Sequence, residues 1–266
     1  MKKTLITLLA LAGVAVANTT TIEKEYTPFS SDSGWTLTGL GANDGSDIGK
    51  NIPTISNNSI YAANPNWRRP VGNYTFAEAI TLTDKAESIE FSFSISDVVQ
   101  NSVATLTFEG SDASGARALV MGETYKGTNG ANNANYAFGT GAYNDGDAYL
   151  LGSDSGWGGQ TYNVPANSLT TLGALTSSAT FEGSIKWSDT DNQFKFTLEQ
   201  GENSASYLLG NKYTLSGLTV TLDGTGNATS PKFSNFTITA TLVPEPTTAT
   251  LSLLALAGLA ARRRRR

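Results

Sequence analysis

The residues that could perform acid–base chemistry in this chain are carboxylates. The sequence contains no His and no Cys, which excludes histidine-based and cysteine-based nucleophilic catalysis. Glycoside hydrolysis needs only two carboxylates that flank a cleft. Glu90, Glu182 and Glu199 each stand alone on the polar side of an alternating segment. We therefore interpret them as solvated surface acids and predict a protein without catalytic activity. A glycoside hydrolase-like enzyme is the alternative.

Turns rich in oxygen ligands are candidate calcium sites, because calcium is bound by carboxylates, amides and carbonyls. The densest cluster is Asn144, Asp145 and Asp147. Its spacing differs from that of an EF-hand loop, and Asn-Asp-Gly also forms turns that hold no metal. The sequence therefore predicts no cofactor, with calcium at this cluster as the open alternative.

Aromatic residues in segments rich in Gly and Asn are candidate ligand contacts, since rings stack on the apolar faces of sugars. Two arginines beside a tryptophan could contact an acidic glycan or pack over the ring. The alternative for each ring is that it covers the edge of the core. The candidate set is Trp67, Arg68, Arg69, Tyr125, Tyr136, Tyr143 and Trp157.

The elements that would position these residues are strands. In SIEFSFSIS, residues 88–96, apolar side chains alternate with polar ones, as in strands that have one face on a core and one in water. Five further segments have the same period, with apolar positions at Ala104, Leu106, Phe108, Phe181, Ile185, Trp187, Phe194, Phe196, Leu198, Leu218, Val220, Leu222, Phe236, Ile238, Ala240 and Leu242. In the second of the six segments, Thr105, Thr107 and Glu109 are predicted to face water. We expect ten to twelve short strands.

Turn signals between these segments indicate antiparallel neighbours. The residues DTDN at 189–192 separate two alternating runs and predict a hairpin in which Trp187 and Phe194 are inward neighbours. The pentapeptide SDSGW occurs at residues 31–35 and again at 153–157. Because the flanking residues differ, we interpret both copies as turns beside a strand and not as a duplication.

The sequence therefore predicts an all-β fold, an antiparallel sandwich of jelly-roll type. The alternating strands, the long polar loops and the closing strand FSNFTITATL resemble concanavalin A-like lectin and glucanase domains. We expect a single β-sandwich domain over residues 18–242. A right-handed β-helix is less consistent with the sequence, because no short regular repeat is present.

The charge of the body is strongly negative. The formal net charge of the whole chain is −5, but seven of its 18 cations lie at the two ends. Without the ends, and without Glu245, the body has 11 cations against 22 acids. Such a body repels phosphate backbones, so we predict no nucleic-acid partner.

The first 17 residues have the features of a secretory signal peptide. Lys2 and Lys3 precede an apolar stretch, and the small residues Ala15 and Ala17 form the predicted cleavage site. We therefore expect the chain to be exported by the secretion machinery.

Residues 243–266 contain Pro244, Glu245 and Pro246, then a short apolar segment, then Arg262, Arg263, Arg264, Arg265 and Arg266. As a helix, residues 247–261 would be about 22 Å long, against a hydrocarbon core of about 30 Å. This order resembles the PEP-CTERM sorting signal of Gram-negative bacteria. The resemblance implies recognition by an exosortase, transient anchoring in the inner membrane through the apolar helix, and release to the cell surface or the extracellular polysaccharide.

Taken together, the sequence predicts an exported, surface-sorted β-sandwich protein that binds carbohydrate or belongs to an extracellular matrix or biofilm. A polysaccharide-active enzyme and a purely structural surface protein are the alternatives.

Overall fold

The computed structural model describes residues 21–40, 52–62, 69–98, 102–123, 135–141, 170–174, 176–224 and 231–244. These residues form fifteen strands and one short 3₁₀ turn, Pro28–Ser30. The strands, in chain order, are β1 (Ile22–Tyr26), β2 (Trp35–Leu40), β3 (Thr54–Ile55), β4 (Ser59–Tyr61), β5 (Arg69–Leu82), β6 (Ser88–Ser96), β7 (Ser102–Asp112), β8 (Gly115–Glu123), β9 (Asn135–Gly141), β10 (Thr170–Ala174), β11 (Ser178–Ser188), β12 (Gln193–Gln200), β13 (Asn203–Gly210), β14 (Tyr213–Gly224) and β15 (Lys232–Leu242).

The strands form two sheets. The first sheet has eight strands in the order β13-β12-β11-β6-β15-β4-β3, with β1 also paired to β15. The second sheet has seven strands in the order β10-β9-β8-β7-β14-β5-β2. The pairs are antiparallel throughout the described residues. The predicted all-β, antiparallel fold class is therefore confirmed. The strand count is higher than expected, in part because β3 and β4 are too short to show alternation.

The core lies between the two sheets and is rich in phenylalanine. Phe91 of the first sheet and Phe108 of the second have ring centroids 4.6 Å apart. Phe138 of the second sheet stacks on Phe196 of the first at 5.0 Å. The buried apolar residues of both sheets form one cluster. These contacts join the sheets face to face, so the architecture is a sandwich.

The predicted inward positions are buried, with two exceptions at strand ends. Trp187 and Leu242 are half-buried and pack against the margin of the core. Trp187 donates its indole N–H to Asp189 Oδ1 at 3.1 Å, and the Lys85 ammonium lies 4.7 Å from the ring centroid. The predicted hairpin is confirmed, since Trp187 pairs with Phe194 in the register of β11 and β12 and their rings meet edge to face at 5.3 Å.

The turn predicted at residues 31–35 is also confirmed. Trp35 begins β2 and donates its backbone N–H to the carbonyl of Asp32 at 3.1 Å. Gly34 has φ +84°, which favours glycine at this position. The second copy of the pentapeptide lies outside the described residues.

The prediction that Thr105, Thr107 and Glu109 face water was wrong. The two threonines are fully buried and Glu109 is 9% exposed. Thr219 and Thr221 of the neighbouring strand β14 are buried as well. Alternation reports which side of a strand is polar and says nothing about what covers that side. Glu109 is tolerated there because its carboxylate accepts a hydrogen bond from Thr219 Oγ1.

Candidate functional site

The outer face of the first sheet contains an open groove of about 480 Å³. Four adjacent strands, β12, β11, β6 and β15, form its floor and walls. Its lining consists of three glutamates, one lysine, five serines and threonines, a glycine and a phenylalanine, namely Glu90, Glu182, Glu199, Lys186, Ser92, Ser184, Thr197, Thr237, Thr239, Gly183 and Phe91.

Strand register brings the three glutamates together. Glu182 of β11 is directly opposite Glu199 of β12. Two residues further along β11, Ser184 is opposite Thr197 on β12 and Glu90 on β6. Directly opposite residues have Cβ atoms about 5 Å apart, and diagonal neighbours about 7–8 Å. Glu182 is thus the direct cross-strand neighbour of Glu199 and a diagonal neighbour of Glu90, and all three lie on one face.

Glu90, Glu182 and Glu199 are exposed, as predicted, but their meeting in one groove was not predicted from the sequence. Each has an ordinary surface environment within its own strand, and only the pairing of the strands collects them. The pairing of Glu182 with Glu199 could have been predicted from the sequence. The predicted pairing of Trp187 with Phe194 fixes a register in which Glu182 is opposite Glu199. The pairing of β6 with β11 has no such signal, because the two strands are distant in the chain.

The groove has an excess of negative charge. Lys186 Nζ forms an ion pair with Glu90 Oε1, and both side chains are more than half exposed. Within the described part of the chain, no ion pair engages Glu182 or Glu199. Like charges directly opposite each other on a sheet are destabilising. The groove therefore offers two unpaired carboxylates as strong hydrogen-bond acceptors.

Hydroxyl groups fill the remainder of the groove. Ser92 and Thr237 lie on neighbouring strands, β6 and β15, and share a hydrogen bond of 3.0 Å. A hydroxyl can both donate and accept. The groove thus combines donors and acceptors at the spacing of a β-sheet, which suits a ligand with many hydroxyl groups.

Gly183 determines how closely β11 lies on the core beneath the groove. A Cβ atom added at Gly183 would overlap the Phe91 ring and lie 2.7 Å from the Thr197 carbonyl oxygen. Phe91 itself packs against Phe108 and Phe196 at 4.6 and 5.4 Å between centroids. The absence of a side chain at Gly183 therefore lets the sheet rest directly on the aromatic core.

The described residues that line this groove include none of the aromatic and calcium candidates. Trp67, Arg68, Tyr125, Tyr143 and Trp157 lie outside the described residues, and so do Asn144, Asp145 and Asp147. Arg69 begins β5, opposite Leu40, and Tyr136 belongs to β9, opposite Glu123. Both strands belong to the second sheet. In the described ranges, no group of three or more acidic side chains could hold a metal ion.

The start of the predicted sorting signal lies at the end of the last strand. Val243, which follows β15, donates its backbone N–H to Glu87 Oε1 at 3.1 Å. Glu87 is buried, and its other carboxylate oxygen accepts the N–H groups of Thr83 and Asp84 at 2.6 and 2.8 Å. Pro244 comes next and is exposed. The carboxylate of Glu87 thus fixes the chain up to the residue before the Pro-Glu-Pro motif.

The other predicted processing residues lie outside the described ranges. These are Ala15, Ala17, Glu245, Pro246, Arg262, Arg263, Arg264, Arg265 and Arg266, and the predicted apolar helix lies there too. Among the residues that the structure describes, no helix has the length and apolar character needed to cross a membrane.

No protein-family model matches the chain. No curated protein matches its sequence. Several solved lectin structures are similar to it. Lectin II from Ulex europaeus is 12% identical, with a TM-score of 0.46, over 83% of this chain and 99% of that one. The exoplasmic/lumenal domain of VIP36, in a form bound to Ca²⁺ and Man3GlcNAc, is 12% identical, with a TM-score of 0.44, over 83% of this chain and 90% of that one. Winged bean acidic lectin, complexed with methyl-α-D-galactose, is 12% identical, with a TM-score of 0.42, over 83% of this chain and 98% of that one.

Proposed function

We propose that this chain is an exported, surface-sorted β-sandwich protein that binds polysaccharide without catalysis, and that the groove on the first sheet is its binding site. The observation that supports this most is the groove itself, in which Glu182 and Glu199 lie opposite each other and neither forms an ion pair within the described residues. A destabilising pair of like charges that forms no ion pair is explained if a ligand uses it.

The chemistry of the groove favours a neutral glycan. Sugar hydroxyls donate to carboxylates, and the serine and threonine hydroxyls can take either part in a hydrogen bond. Three carboxylates against one ammonium group repel an anionic polymer. Phe91, the aromatic residue in the lining, is 4% exposed, so recognition relies on hydrogen bonds more than on stacking. We therefore expect modest affinity for one site and stronger retention on a polymer with repeated binding units.

The proposal is tested by affinity electrophoresis of the full-length chain in native gels that contain laminarin, dextran, xylan or alginate. We expect at least one of the three neutral polysaccharides to retard the protein and alginate not to do so. The Glu182→Gln/Glu199→Gln variant should lose the retardation. Glu23→Gln, an exposed acid on β1 outside the groove, is the matched control and should behave as wild type. Retardation by none of the neutral polymers would contradict the proposal.

Export and sorting are the second part of the proposal, and they rest on the signal-peptide features and on the Pro-Glu-Pro motif. The anchoring of Val243 by Glu87 supports it, because the motif then begins at a fixed point on the surface of the folded body. Replacing Glu245 by Ala in a host that has an exosortase should leave uncut protein in the membrane fraction. Normal release of this variant into the medium would contradict the sorting proposal and would not bear on the proposal of glycan binding.

A polysaccharide-active enzyme is the second candidate, and one observation favours it. Glu182 lies at cross-strand spacing from Glu199 and at diagonal spacing from Glu90 in one groove, and both spacings are within the roughly 5–10 Å that glycosidases use. Reducing-sugar release from the same neutral polysaccharides separates the two candidates. An enzyme would release sugar, and Glu182→Gln or Glu199→Gln would abolish the release. A binding protein would retain the polymer without cutting it.

A further inference from the structure

The groove on the first sheet has a regular construction, because the register of four strands arranges its lining residues in two parallel rows. Row A takes one residue from each of β12, β11, β6 and β15, and these are Glu199, Glu182, Ser92 and Thr237. Row B lies two residues away on the same strands and consists of Thr197, Ser184, Glu90 and Thr239. Both rows belong in full to the lining of the groove. The groove is therefore a trough between two rows of side chains that cross the strands.

The floor of the trough, between row A and row B, consists of backbone. The residues between the rows point into the core, because side chains alternate between the two faces of a strand. These residues are Leu198, Gly183, Phe91 and Ile238. Gly183 has no side chain, and the other three are buried. Since the backbone groups of the floor are engaged in pairing with neighbouring strands, the two rows supply the hydrogen bonds to a ligand.

The trough is longer across the strands than along them. Neighbouring strands are about 4.8 Å apart, so four strands give a length of about 14 Å, whereas two rows separated by two residues are about 7 Å apart. On the side of row B, Lys186 forms its ion pair with Glu90 and lines the groove. An elongated ligand in the groove therefore lies across the strands.

The two rows offer a ligand the same kind of contact at every strand. Each row presents one hydroxyl or carboxylate side chain per strand, at the strand spacing of about 4.8 Å. Such groups form hydrogen bonds with sugar hydroxyls. A glycan that has hydroxyls along both edges and repeats at a similar interval can therefore bond to row A and row B at each of its units.

We propose that the groove binds an extended glycan with the equatorial linkages of cellulose or xylan, with one sugar unit over each of the four strands. Such linkages hold the sugar rings in a flat ribbon that has hydroxyls along both edges and a repeat close to the strand spacing. The linkages of laminarin give a coiled chain and those of dextran a flexible one, so neither presents this repeat. The inference rests on the proposed glycan binding at this groove, to which it adds the class of glycan and its direction.

Isothermal titration calorimetry of the full-length chain with three glucose tetrasaccharides tests the class of glycan, because cellotetraose, laminaritetraose and isomaltotetraose differ only in their linkages. We expect cellotetraose to bind about tenfold more tightly than either of the others, since a mismatched repeat loses one or two hydrogen bonds. The affinity should rise from cellobiose to cellotetraose and change little with longer chains. Equal affinity for the three tetrasaccharides would overturn the inference and leave glycan binding at the groove standing. Binding of none of them would overturn it as well, and the gel experiment with polymers then decides whether the groove binds glycan at all.

A nitroxide spin label at the reducing end of cellotetraose tests the direction. We expect the label to broaden amide signals of the ¹⁵N-labelled full-length chain at an end of the trough, on β12 or β15. Broadening at Ser178 or Ser188, the two ends of β11, would overturn the direction.

A variant in the middle of row B tests the position of the glycan. Ser184→Gln places a longer side chain there and should weaken the binding of cellotetraose about tenfold. Ser178→Gln, on the same face of β11 and outside the lining, is the matched control and should bind as wild type. Equal binding by the two variants would contradict the assigned position.

Discussion

Glu182 and Glu199 illustrate what a single residue contributes in this molecule. Each is an exposed glutamate on an amphipathic strand, and nothing in its local sequence distinguishes it from any solvated acid. What distinguishes them is the register of β11 and β12, which places the two carboxylates directly opposite each other. Such a pair costs stability, and we interpret the cost as the consequence of a binding role.

Replacing Glu182 by Gln should therefore stabilise the fold while it weakens binding. Removing the repulsion from Glu199 should raise the free energy of unfolding by about 0.2–1 kcal/mol, measured by urea denaturation at neutral pH and low salt. Glu23→Gln, an acid on the same face and outside the groove, should change it less. A clear loss of stability in Glu182→Gln would show that the carboxylate has a structural role, contrary to our interpretation.

Tyr74 gives the fold a pH dependence at the alkaline end. Burial raises its pKa above the ordinary value, and the nearby Tyr26 raises it further. The folded state thus favours the neutral phenol, whereas in the unfolded chain the phenol ionises near pH 10. The contribution of Tyr74 to the free energy of unfolding should accordingly be fully present below about pH 10 and be lost as the pH rises beyond it.

Urea denaturation of wild type and Tyr74→Phe, followed by tryptophan fluorescence, checks this. The ring of Tyr74 packs against Trp35 and Phe76 at 5.3 and 5.1 Å, and phenylalanine keeps that packing. The variant should lose less stability than wild type between neutral and alkaline pH. An equal loss in both proteins would show that Tyr74 does not contribute to the alkaline transition.

At the scale of the element, alternation in the sequence predicted the strands well where one face meets the core. The segments at β6, β12 and β14 have their apolar residues buried as predicted. The pattern was misleading at β7, where Thr105 and Thr107 are buried too. Threonine suits a strand on either face, since its branched side chain packs well in a sheet. Its presence therefore does not indicate exposure.

The β11–β12 hairpin depends on the backbone conformation of Asn192. This residue ends the four-residue turn with φ +53°, in the left-handed region that asparagine and glycine tolerate. Asn192→Ala should lower the free energy of unfolding by about 1–2 kcal/mol. Asn192→Gly is the matched control and should stay within about 0.5 kcal/mol of wild type. Equal stability of the two variants would contradict the assigned turn geometry.

At the scale of the whole molecule, the fold class followed from local patterns, but the order of strands in the sheets did not. β6 lies between β11 and β15, two strands that are distant from it and from each other in the chain. Composition and periodicity do not specify such non-local pairs, which the matching of the two inner faces decides. The groove could therefore not be predicted from the sequence, because it exists only where β12, β11, β6 and β15 are adjacent.

The strand order also gives the molecule two distinct outer faces. The outer face of the first sheet is open and holds the groove, with serine and threonine between its few charges. On the outer face of the second sheet, Thr105 and Thr107 of β7 and Thr219 and Thr221 of β14 are buried.

The central claim is that the groove on the first sheet binds neutral glycan, and chemical-shift mapping tests it most directly. The ¹⁵N-labelled full-length chain is titrated with laminarin, dextran and xylan oligosaccharides. We predict that at least one of them shifts the amide signals of β6, β11, β12 and β15 around Glu182, while signals of the second sheet stay unchanged. Shifts confined to the second sheet, or none with any of the three, would contradict the account.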